Sequence, residues 1–168
     1  MKLEIDLCFK SKKWPNHAIQ KIKPMLKLVT LEVLKTIKAS DLCKTLAFSL
    51  LFVSDIEMKK YNSKFKDKAC ATNVLSFPAE NFLKTDLTNF KREYLYLGEI
   101  IFSFETIKKE SAQQRKIFNE HLLHLFTHAF LHLLCYVHKT KKDRERMEKL
   151  EILILKKFGI KNPYEIDL

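Results

Sequence analysis

The strongest constraint on this chain is the run from His121 to His138, HLLHLFTHAFLHLLCYVH, which carries five of the six histidines on an otherwise apolar background. His121, His124, His128 and His132 are spaced by three, four and four residues, so a helix gathers them roughly on one face. A solvated or half-buried helix surface can carry such a stripe without further chemistry. His138 is what adds the chemistry. Six residues beyond His132, it can return from the helix end and set a third imidazole beside His128 and His132. Zinc held by three protein ligands keeps one position open for water, the arrangement of a hydrolase rather than of a structural staple. His121 and His124 then read as supporting, RNA-facing or simple surface residues. His124, one turn before His128, is the substitute ligand if His138 does not reach, and Cys135 is a further thiol within range.

The spacing HxxxHxxxxxH is also that of an extended zinc-protease signature, which needs a glutamate directly after its first histidine as general base. That position is Ala129, so peptide hydrolysis is disfavoured. Charge then narrows the substrate. Thirty-one Lys and Arg against twenty Asp and Glu give the 168 residues a net charge of +11, a field that attracts nucleic acid, an anionic membrane or acidic protein. The N-terminal MKLEIDLCFKSKKWP reads as a first strand, not a signal peptide. No run is long and apolar enough for a membrane span. Cys8, Cys43, Cys70 and Cys135 form no CxxC pair, so the sequence predicts thiols in a reducing compartment.

Along the chain, Leu3, Ile5, Leu7 and Phe9 alternate with more polar residues, predicting a strand with one buried face. A period near 3.6 then predicts an amphipathic helix from about Asn16 or His17 to Ile37, beginning late or kinked because of Pro24. His17 reads as a cap or surface residue. Leu46 to Val53 is a strand covered on both faces, and Ser54 and Asp55 are N-cap candidates for a short helix through Tyr61. Asn62 to Ala71 reads as a loop, Thr72 to Phe77 as a strand ended by Pro78, and Ala79 to Glu93 as a long surface loop. Tyr94 to Ser103 is a further strand, in which Gly98 marks a bulge or a close backbone approach. Lys108 to Lys116 is either helix or loose connection. The histidine helix should run from Phe118–Glu120 to Cys135–Val137. A last helix, about Arg144 to Phe158, should have Gly159 as its C-cap. This order suits an α+β or α/β layer fold.

His128 to His138, HAFLHLLCYVH, resembles the HGxLHLxGYDH signature of the YbeY family of endoribonucleases, the rRNA maturation factors. Asn62 to Pro78 is similar to the family's NxxYRxxDxPTDVLSFP, and Leu97 to Ile100 to its LGDI. Met147, Glu148 and Glu151, followed by Pro163-Tyr164, resemble its MExxE helix and closing PY. The resemblance implies one α+β domain over residues 1–168, with a central four-stranded mixed sheet and the metal-ligand helix in the C-terminal half. It implies a cytoplasmic, zinc-dependent endoribonuclease specific for single strands, acting in 3'-end maturation of small-subunit rRNA and in ribosome quality control. Its implied partners are single-stranded rRNA, the small ribosomal subunit, and a ribosomal protein or GTPase. His128, His132 and His138 are implied as Zn2+ ligands, and Lys66 stands where the family has an arginine thought to engage RNA phosphate. Asn73, Ser76 and Glu99 fall in matching strand motifs near the cleft.

Several positions depart from the family pattern. Cys135 replaces a glycine at the turn toward His138, so that turn is either ordinary in conformation or strained. Val137 replaces an aspartate beside the third ligand, removing one carboxylate partner for an imidazole. Lys66 lacks the bidentate fork of arginine, and Ala69 and Ala71 replace an aspartate and a proline. Two other readings therefore stand beside the nuclease: an RNA-binding factor with weak or absent catalysis, and a metal-dependent hydrolase of another substrate. Glu99 and Glu148 are weak general-base candidates.

Overall fold

The computed structural model describes residues 1–66, 68–79 and 91–165. Its sheet has four strands in the order β1-β2-β4-β3: β1 (Lys2–Phe9), β2 (Cys43–Val53), β3 (Val74–Pro78) and β4 (Arg92–Ser103). β1 and β4 lie parallel to β2, and β3 pairs antiparallel with β4, so the sheet is mixed and β3 forms an edge. The helices are α1 (Asn16–Thr36), α2 (Asp55–Lys66), α3 (Phe104–Gln113), α4 (Phe118–Leu133) and α5 (Lys141–Lys156). This is the expected α+β fold.

The alternation in β1 is followed: Ile5 is buried while Glu4 and Asp6 are exposed. On β2, Leu46, Phe48, Leu50 and Phe52 join the main core with α1, α4 and α5, whereas Leu51 and Val53 join a second cluster with Met58 of α2. The strand is thus covered on both faces, and its near-continuous apolar sequence follows from that. α4 lies over the first face, with Phe130 5.1 Å and Phe126 6.0 Å from Phe48 between ring centroids. Such a strand and helix bury the apolar positions of both elements at once.

Gly98 is both a bulge and a close approach. Ala47 pairs with Tyr96 and the next pair is Ser49 with Glu99, so β4 carries one extra residue there. Its φ is +128°, and a Cβ at this position would lie 2.1 Å from the Phe77 carbonyl oxygen. Only glycine fits.

Several boundaries depart from the sequence reading. α2 does not stop at Tyr61; it continues through Lys66, taking in the first five residues of the anticipated loop, while residues 68–71 are irregular. A capping box explains its start, since Glu57 accepts from Ser54 N at 3.0 Å and from its hydroxyl at 3.1 Å. Asp55 instead accepts from Thr106 N at 3.1 Å and Thr106 Oγ1 at 2.8 Å, fastening α2 to the start of α3. Pro24 sits at an exposed position inside α1, which begins at Asn16 and not later. β4 begins at Arg92, shortening the predicted loop, whose residues 80–90 lie outside the described residues. α3 is a full helix from Phe104, and α5 starts three residues early, where the Thr140 hydroxyl accepts from Asp143 N at 3.1 Å. No helix among the described residues is long and apolar enough to cross a membrane.

Candidate metal centre and cleft

α4 ends at Leu133, and the turn beyond it builds the site. Cys135 has φ +61°. Tyr136 N donates to Leu131 O at 3.0 Å and Cys135 N to His132 O at 2.9 Å, the paired bonds of a Schellman C-terminus with Cys135 in the left-handed position. The turn is therefore the strained alternative, because a side chain there costs roughly 1–2 kcal/mol relative to glycine. It returns the chain so that the Tyr136 carbonyl lies 2.7 Å from His132 Nδ1 and His138 faces the two helix histidines. One ligand atom from each of His128, His132 and His138 lies within 4.8 Å of the others. His138 closes the set, so His124 is not needed as a substitute.

The donor set can be tested for a metal through its proton positions. The Tyr136 carbonyl can only accept, so His132 carries its proton on Nδ1 and presents the Nε2 lone pair. His128 Nδ1 lies 2.9 Å from Glu151 Oε1. Burial opposes charge on Glu151, but hydrogen bonds from His124, His128 and the Tyr164 hydroxyl hold its carboxyl down at about 2. Glu151 is therefore an acceptor, His128 also carries its proton on Nδ1, and its Nε2 faces His132 Nε2 at 3.1 Å. Two lone pairs at this distance repel unless a cation lies between them. Nitrogens bound at about 2.0–2.1 Å to a tetrahedral ion would stand at a similar separation. The three histidines fit a divalent metal with nitrogen preference, and their number leaves coordination open.

Burial first, then the neighbouring His128, hold the His132 imidazole down at about 4, so it stays neutral and able to ligate. Glu151 has no exposed surface and also meets His124 Nε2 at 3.0 Å and accepts from Tyr164 Oη at 2.6 Å. Burial and the Glu151 charge push the Tyr164 phenol up, keeping it a donor. The carboxylate that Val137 cannot provide thus comes from α5. Farther along the stripe, His121 Nε2 lies 2.9 Å from Glu110, which also accepts from Asn73 Nδ2 at 3.0 Å. His121 and His124 are supporting residues and not a solvated face; their Nδ1 atoms are buried without a partner among the described residues.

The three histidines open onto a cavity of about 770 Å³, walled on one side by Thr72 to Ser76 and on the other by α4, with Lys66 and Tyr164 at its margin. Lys66 reaches it from the last turn of α2. His128 and His138 also line a second opening of about 260 Å³ with Arg144, Glu148 and Tyr164. Asn73 and Ser76 line the larger cavity, as the motifs implied. Glu99 does not. Its neighbour at i+2, Ile101, packs in the cluster beneath α2, so Glu99 lies on the sheet face away from α4. That removes it as a base for this site, while Glu148 stays within it.

A family model for endoribonuclease YbeY matches residues 10–159. The chain belongs to the YbeY endoribonuclease family. It is 41% identical over 116 residues to an endoribonuclease YbeY of Sinorhizobium medicae (strain WSM419); the match covers 69% of this chain and 66% of that relative. The solution structure of TM1509 from Thermotoga maritima superposes with a TM-score of 0.55 at 20% identity, over 96% of this chain and 99% of that one, a likeness of fold.

The sequence reading missed the roles of Glu151, Tyr164 and the Tyr136 carbonyl. One signal was present. Glu151 sits four residues after Met147 and three before Ile154, on the apolar stripe of α5, where an unpaired carboxylate would be prohibitive. The Tyr136 carbonyl left no trace in sequence, because any residue supplies one.

Proposed function

We propose that this chain is a zinc-dependent endoribonuclease that cuts single-stranded rRNA of the small ribosomal subunit near its 3' end. The observation that carries this reading is the convergence of His128, His132 and His138 at an open cavity that Lys66 also lines, with Arg144 in an adjoining opening that shares His128 and His138, in a chain of charge +11. A zinc ion, when bound, supplies Lewis-acid polarisation of a phosphoryl oxygen and acidifies water. The protein does the rest. His128, His132 and His138 hold the metal; Glu151 and the Tyr136 carbonyl fix two of the rings by their Nδ1 protons. Lys66 and Arg144 offset charge that builds on the phosphate during displacement. Glu148 lines the smaller opening with His128 and His138, and on this reading it moves a proton.

On this reading the chain works in the cytoplasm as one domain over residues 1–168, on the small ribosomal subunit, with a ribosomal protein or GTPase as partner. Parallel measurement of metal content and single-stranded RNA cleavage in the parent and in His132→Ala tests the reading. Metal-loaded parent protein that binds RNA without cutting it would favour a binding factor instead.

A further inference from the structure

Three aromatic rings run along α2 and the adjoining end of β3, and each has a lysine ammonium near it. Lys66 Nζ is 6.0 Å from the Phe77 ring centroid, Lys64 Nζ 5.2 Å from that of Phe65, and Lys10 Nζ 5.9 Å from that of Tyr61. Tyr61 and Phe65 are four apart on α2 and share a face, as do Lys60 and Lys64. Phe65 meets Phe77 edge-on, with centroids 5.2 Å apart and planes at 64°. Phe77 packs on the cluster beneath α2, but Phe65 remains 51% exposed. Part of an apolar ring is thus presented to solvent on the last turn of the helix.

The row meets the histidine cavity at one residue. Lys66, which lines that cavity, is the residue after Phe65, and a smaller hollow beyond it is lined by Lys10, Glu57, Lys60, Tyr61 and Lys64. Between residues 59 and 68 the sequence carries five lysines and one aspartate. Glu57 is engaged in the capping box with Ser54. Ammonium groups around one exposed ring, Phe65, with Tyr61 and Phe77 partly buried beside it, match single-stranded nucleic acid, in which a base stacks on the ring while phosphates meet the cations. A duplex hides its base faces and cannot use the rings.

We propose that Phe65, with Lys60 and Lys64 beside it, is a stacking site for a base of single-stranded RNA flanking the phosphate held at the histidines. This rests on the nuclease reading and adds a source for its preference for single strands. Lys66 then acts at the junction between the stacking row and the cavity.

The test is equilibrium binding of a single-stranded RNA oligonucleotide and of the same sequence as a duplex to the full chain, its Phe65→Ala and Phe65→Trp variants, and the double variant Lys60→Gln/Lys64→Gln. Phe65→Ala should weaken single-strand binding about tenfold with little effect on its salt slope, and Phe65→Trp should restore it, with indole fluorescence changing on RNA addition beyond the signal of buried Trp14. The double lysine variant should flatten the salt slope by roughly 1.4, about 0.7 for each phosphate no longer neutralised. Single-strand affinity equal in parent and Phe65→Ala overturns the stacking site while leaving the nuclease reading intact. A parent that binds no single-stranded RNA overturns both.

Discussion

His128 Nδ1 lies 2.9 Å from Glu151 Oε1, and that carboxylate has no exposed surface. The pair joins α4 to α5 and fixes which nitrogen of His128 faces His132. Glu151→Gln keeps the shape but places an amide where one carboxylate served His124, His128 and Tyr164 together. We expect zinc affinity to fall roughly 10- to 100-fold, as is typical when a partner of a metal-bound imidazole is altered. Competition with a chromophoric chelator measures it. Unchanged affinity would mean that Glu151 is only a packing residue.

The left-handed turn at Cys135 should respond to side-chain shape in a fixed order. Glycine relieves the backbone strain, and a β-branched residue adds to it. Cys135→Val should be less stable than Cys135→Gly by about 1–2 kcal/mol in denaturant titration of the metal-free protein. It should also bind zinc more weakly, because the same turn aims the Tyr136 carbonyl at His132. Equal stabilities would contradict the left-handed assignment.

Acid should act on His132 late. Its imidazole is held at about 4 in the metal-free fold by burial and by His128, against about 6.5 in an unfolded chain. The folded state therefore binds fewer protons than the unfolded state between these values. Stability is unaffected by this group above about pH 6.5, and falls as pH drops from there toward 4. Below about 4.5 Glu151, held at about 2, adds its own loss. Imidazole NMR titration of metal-free protein should show His132 neutral at pH 5; a midpoint near 6.5 would contradict this.

Gly98→Ala should be among the most damaging single substitutions in the sheet. Its Cβ would meet the Phe77 carbonyl oxygen at 2.1 Å from a φ of +128°. A loss of roughly 3–5 kcal/mol is expected from backbone strain and clash together. Thermal unfolding measures it, and a loss below about 1 kcal/mol would mean the bulge relaxes easily.

Much of this was legible because the signals are periodic or local. The stripe of α4, the double-sided burial of β2 and the role of Gly98 all follow from side-chain pattern. The convergence of His138 with His128 and His132 followed from spacing together with motif. The extent of α2 was not legible: Asn62 to Lys66 is polar, and its helical state depends on tertiary bonds such as Asn62 Nδ2 to Cys70 O at 2.8 Å, with Asn62 buried. Glu99 was misplaced because a strand motif does not say which sheet face its carboxylate takes. Glu151 carried a signal in its place on the apolar stripe of α5, but a stripe does not say which side chains meet it; only its burial between α4 and α5 shows that it serves two histidines.

Metal content and RNA cleavage, measured together, test the role of the three histidines most directly. The parent, loaded with zinc, should hold about one ion per chain and cut single-stranded RNA. His132→Ala should lose most of both, with chelation of the parent abolishing cleavage and zinc restoring it. Cleavage that persists in His132→Ala, or in chelated protein shown to be free of metal, would contradict the central claim.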